Sequence, residues 1–178
     1  LEERGGDILF EYDKRFLDSG IELSPFLLPL RPGVASDPKR TFDGLFGVFN
    51  DSLPDGWGLL LLDRLLRRSG LPLERITPLS RLSLVGSGGM GALEYEPVTP
   101  DPDPLPERID LDGVAEEAWR TLNEDPLPVE TLRTLMALNG SSCGARPKIM
   151  VRVSGDRRLI VPDAVAEPGC DPWLIKFP

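Results

Sequence analysis

Apolar and polar positions change rhythm several times along the chain, and each change predicts an element. Residues 8–17, "ILFEYDKRFL", alternate loosely and predict a strand. Residues 21–30, "IELSPFLLPL", are broken by Pro25 and Pro29 and predict extended chain. The aromatic, turn-rich stretch "FDGLFGVFNDSLPDG" leads into "WGLLLLDRLLRRSG", which predicts a helix. Asp55 is placed to cap its start, Arg67 and Arg68 complement the dipole at its end, and Gly70 stops it. Leu59 to Leu62 cover most of the helix circumference, so burial on more than one side is expected.

"LSLV" (82–85) and "ALEYEPV" (92–98) read as short strands flanking a glycine cluster, "GSGGMG". Five prolines between Pro97 and Pro106 then predict a stiff, extended connection and the best domain boundary. Residues 112–124 and 128–139 predict two helices. Beyond Gly140 the period becomes that of strands: "KIMVRV", a turn at "SGD", and a return over "RRLIVP". A loop over 162–172 precedes a short strand, "WLIKFP". The pattern is that of an α+β chain, with one unit over 1–106 and a second over 107–178. Ending on a strand suggests a segment of a longer chain.

Composition narrows the chemistry. The chain has 178 residues, no histidine and two cysteines. Without histidine, Ser-His-Asp and Cys-His catalysis are excluded, as are most zinc sites. Cys143 and Cys170 lack a C-x-x-C partner, and the charged start "LEERGGDILFEYD" is no signal peptide, so a reducing cytoplasm is expected. No apolar run is long enough to span a membrane. The net charge is −9, and residues 101–130 hold ten acids against two bases. An acidic body argues against broad nucleic-acid contact, while the mildly basic stretch 131–178 suits a small anion.

Two glycine clusters compete as that anion's site. "GSGGMG" fits G-x-G-x-x-G, but no helix is expected after Gly91, so the dinucleotide-binding turn fails. The glycine loop of protein kinases fits the strand-loop-strand expectation, yet the next lysine is Lys148, far down the chain. A glycine-rich turn packed closely on a neighbour explains this cluster better. The second cluster, "LNGSSCGARPKIMVRV" (138–153), offers unhindered amides and two hydroxyls after a helix. Lys176 lies in an apolar strand, where an ammonium needs a partner such as phosphate. A helix C-cap at Gly140 and a solvated edge-strand lysine are the plainer readings of the same residues.

Five segments in order resemble the HipA family, serine/threonine kinases that are the toxin halves of bacterial toxin–antitoxin pairs. They are "SPFLLPL" (24–30), "FDGLFGVFNDSLPDGWG" (42–58), "LSLVGSGGMGALEYEP" (82–97), "SSCGARPKIMV" (141–151) and "WLIKFP" (173–178). The resemblance covers the N-terminal part of the family. It implies a small mixed β/α subdomain, then a helix pair and an incomplete kinase-like N-lobe sheet. It implies that the first glycine cluster is structural and that the later loop faces the nucleotide. Ser142, Cys143, Gly144, Ala145, Lys148 and Lys176 then match nucleotide-binding positions, and Ser141 matches the autophosphorylated serine, with Ser142 the adjacent alternative. ATP and Mg²⁺ are the implied cofactors, with the Mg²⁺ ligands and catalytic base expected beyond residue 178 and this chain inactive alone. A protein substrate and a helix-turn-helix antitoxin are the implied partners. Gly88 stands where the family often has Asp, and Arg146 where it usually has Gln. The alternative reading is a non-catalytic module that docks the antitoxin through the aromatics of "LFGVFNDSLPDGW". An α+β domain without a ligand is the third.

Overall fold

The computed structural model of the chain describes residues 1–98, 105–140 and 142–178. The boundary expected near 97–106 falls largely outside them. Helices and antiparallel sheets are both present, so the fold is α+β, as expected.

The first half begins with strands β1 (Glu2–Arg4) and β2 (Asp7–Glu11). The strand expected over 8–17 stops early, because Asp13 accepts a hydrogen bond from the Arg15 N–H and caps a one-turn helix, α1 (Lys14–Leu17). Residues 21–30 are a turn rather than extended chain: Leu28 N–H bonds back to the Ser24 carbonyl at 2.8 Å. Strand β3 (Val34–Ser36) completes an antiparallel sheet in the order β1-β2-β3. A short helix, α2 (Gly47–Asn50), precedes α3 (Gly56–Arg68). Ile8, Phe10, Tyr12, Leu28, Phe46 and Phe49 form the first core.

α4 (Pro78–Val85) corrects the strand expected over 82–85. Thr77 accepts from the Ser80 N–H and Pro78 occupies the first turn, and together they start a helix that short-range alternation does not reveal. The segment 92–98 is no strand either. Its Tyr95 packs on the first core and donates to the Ser52 hydroxyl at 2.7 Å.

The second half is close to expectation. α5 (Leu111–Leu122) and α6 (Val129–Asn139) are followed by β4 (Lys148–Ser154), β5 (Ile160–Pro162) and β6 (Cys170–Lys176). β6 begins three residues before the expected strand at 173, extending its pairing with β4 as far as Ser154↔Cys170. The sheet order is β5-β4-β6, antiparallel throughout. Ile149, Val151 and Val153 face the second core with Leu132, Leu135 and Leu138 of α6.

α3 lies in the first half of the sequence but packs with the second half. Trp57, Leu61 and Leu65 sit in the second core, and Gly58, Leu62 and Leu66 form a buried stripe beside them. Gly58 permits this approach, since a Cβ there would stand 2.7 Å from the Asn139 amide nitrogen of α6.

Candidate functional site

The loop between α6 and β4 starts at Gly140, whose left-handed backbone (φ 55°, ψ 36°) ends the helix. Ser142 continues the stop: its N–H donates to the Asn139 carbonyl at 3.1 Å and its hydroxyl to Asn139 Oδ1 at 3.1 Å. Ser141, the expected autophosphorylation position, lies outside the described residues.

The loop is clasped by the start of α3. Asp55 sits at the N-cap position but makes no cap hydrogen bond, contrary to expectation. Its carboxylate instead accepts the Gly144 N–H at 2.7 Å. One residue on, Trp57 N–H donates to the Gly144 carbonyl at 3.1 Å. Gly56 separates the two, and a Cβ on it would lie 2.7 Å from the Gly144 carbonyl carbon and oxygen. Only a glycine fits this junction, both for space and for its φ of +42°.

Lys148 closes the loop from the other side. Its ammonium donates to the carbonyls of Cys143 at 2.9 Å and Gly144 at 2.6 Å, and the residue is only 2% exposed. Burial pushes its pKa below the ordinary lysine range, the Asp55 charge opposes that shift, and the neighbouring Lys176 reinforces it. Lys176 is exposed and stands directly opposite Lys148 in the β4–β6 register. The two side chains therefore project from one face of the sheet. Met150 shares that face by alternation, and it lines a cleft of about 370 Å³ with Gly88, Gly140, Leu138 and Asp163.

Six of the seven expected site residues are thus placed, and they form one cluster. The amides of Ser142 and Gly144 and the ammonium of Lys148 have internal partners. The amides of Cys143 and Ala145 donate to nothing among the described residues. Cys143 is an exposed free thiol. The first glycine cluster follows a helix, and no helix begins directly after it among the described residues, so its shape matches neither nucleotide-binding turn. It packs near α6, with the Gly88 carbonyl 3.5 Å from the place a Gly140 Cβ would take.

The sequence reading missed Asp55, Gly56 and Trp57 as loop contacts. Two glycines flanking a tryptophan at a helix start were the available signal of a close backbone approach. The aromatics of "LFGVFNDSLPDGW" expected to face a docking partner, Phe46, Phe49 and Trp57, are buried in the two cores.

A family model described as the HipA N-terminal domain matches residues 1–96, more than half of the chain. The chain belongs to the HipA family. Neither a curated protein nor a solved structure matches it. The clasp places Asp55, Gly56 and Trp57 of this HipA domain against a loop that lies outside the matched residues. No helix among the described residues is long and apolar enough to cross a membrane.

Proposed function

We propose that this HipA-family chain carries the phosphate-binding face of a serine/threonine protein kinase, with the 142–145 loop and Lys176 meeting the nucleotide and Lys148 holding the loop from inside. The observation that carries this reading is the register of β4 and β6, which sets Lys176 opposite Lys148, whose ammonium reaches the loop backbone.

The residues fit a nucleotide's phosphates in part. Lys176 supplies an exposed ammonium, and Cys143 and Ala145 supply unengaged amides. Lys148 holds the loop's curvature from inside. Phosphoryl transfer depends mostly on positioning and on charge stabilisation, and these groups would do the positioning. They do not make a metal site: no group of three or more acidic or cysteine side chains able to hold a metal occurs among the described residues. Mg²⁺ would arrive with the nucleotide. Phosphorylation of Ser141 or Ser142 would add about −1.5 to −2 charge beside the phosphates and oppose nucleotide binding.

Calorimetry with Mg-ATP tests the proposal. Binding that weakens at least about tenfold in Lys176→Ala supports it, as expected for loss of a charge-assisted contact. Equal affinity in both chains would remove Lys176 from the site.

A second reading has one observation in its favour. The turn at 21–30 leaves Phe26 95% and Leu27 65% exposed, beside exposed Ile21. This patch suits a helix-turn-helix antitoxin as partner. Loss of antitoxin capture in Phe26→Asp would place docking there, and unchanged capture would exclude this turn.

A further inference from the structure

The Asp55 carboxylate holds a group that the nucleotide reading needs. A phosphate oxygen and a carboxylate oxygen are both anionic acceptors, and each seeks backbone N–H groups at a glycine-rich turn. In this structure the Gly144 N–H already has such an acceptor, at a short, charge-assisted 2.7 Å. The cation nearest the loop, Lys148, feels the Asp55 charge, so the carboxylate balances the positive end of the site as a phosphate would. Asp55 has no other hydrogen-bonding task among the described residues, because α3 takes no side-chain cap from it. The clasp is steric as well as electrostatic, since Gly56 seats the Gly144 carbonyl without a side chain between them.

We propose that Asp55 is a positioning residue that latches the 142–145 loop, competing with an incoming phosphate for the Gly144 N–H. The inference rests on the nucleotide reading of the loop and adds its regulation. Asp55 stands at the entrance of α3, within the HipA N-terminal domain. Any shift of α3 therefore changes how readily the loop releases its amide. Polyphosphate binding and retention of the latch are mutually exclusive at this atom, and each weakens the other by the same factor.

The full chain and three variants test this. Asp55→Asn keeps the shape and removes the charge. Asp55→Ala removes the acceptor without costing α3 a cap bond. Gly56→Ala forces the loop away while leaving the carboxylate in place. Hydrogen exchange of the Gly144 amide should accelerate about tenfold in Asp55→Ala and Gly56→Ala. Mg-ATP should bind Asp55→Asn about five- to tenfold more tightly than wild type. A merely structural Asp55 would move affinity the other way. Unchanged exchange in Asp55→Ala, or unchanged or weaker Mg-ATP binding in Asp55→Asn, would overturn the latch. If no chain binds Mg-ATP, the nucleotide reading falls, and inorganic tripolyphosphate then decides the latch alone. Tripolyphosphate binding to Asp55→Asn in preference to wild type would keep it, and binding to neither would end it.

Discussion

Gly58 shows how a single position can reverse an ordinary rule. Replacing a glycine within a helix by alanine ordinarily stabilises, by up to about 1 kcal/mol in an open helix interior and less in a first turn such as that of Gly58. Here the added carbon would meet the Asn139 amide at 2.7 Å and the Pro54 ring at 2.9 Å. Asn139 is fully buried and tied to Ser142, so it has little room to yield. Gly58→Ala is expected to destabilise by about 1–3 kcal/mol, measured by denaturant unfolding. Lys148 makes a second test. Its folded form binds a proton less tightly than an ordinary lysine, because burial disfavours the charge. Between that depressed pKa and about 10.4 the unfolded chain holds more protons, so stability rises with pH across this window. Lys148→Met leaves the Cys143 carbonyl without its donor and the Gly144 carbonyl with the Trp57 N–H alone, costing about 1–3 kcal/mol. It also removes the rise, so wild type should gain on the variant as pH climbs toward that limit. A gap that narrows instead would contradict the burial account.

Among the elements, legibility followed the length and completeness of the local signal. α3, α5 and α6 carried long apolar periods, and Gly70 and Gly140 marked two of their ends. β4 alternated over most of its length, and its pairing with β5 followed from the turn between them, whereas its pairing with β6 had no local signal. The failures were short. Residues 82–85 looked like a strand because four residues cannot separate two periods, and the decisive Thr77–Pro78 pair lay upstream. Thr77→Ala should therefore cost about 1 kcal/mol, read as a lowered unfolding midpoint. The candidate site's chain-contiguous part, Ser142 to Lys148, and the lone lysine of β6 could be singled out from sequence, and the structure sets Lys148 and Lys176 opposite each other. Asp55 was not, because its partner is 89 residues away and a helix-start aspartate already has a sufficient local explanation.

At the scale of the molecule, the match to a HipA N-terminal domain over 1–96 does not coincide with a closed core. Trp57, Leu61 and Leu65 belong by sequence to the matched part and by packing to the second core. Residues 1–96 alone should thus expose an additional apolar stripe and bind a hydrophobic dye and associate more strongly than the full chain. A monomeric 1–96 fragment that binds no more dye than the full chain would show that α3 can repack. Leu61→Ala, at the centre of the stripe, should destabilise the full chain by about 2–5 kcal/mol in one cooperative transition.

Trp57 gives the clasp a built-in optical reporter. Its indole is 1% exposed and its backbone holds Gly144, while Trp119 and Trp173 face solvent. Iodide should quench the latter pair and leave a blue-shifted emission from the former. A red shift of that residual light would time the loop's departure in a stopped-flow mixing experiment, with no label attached.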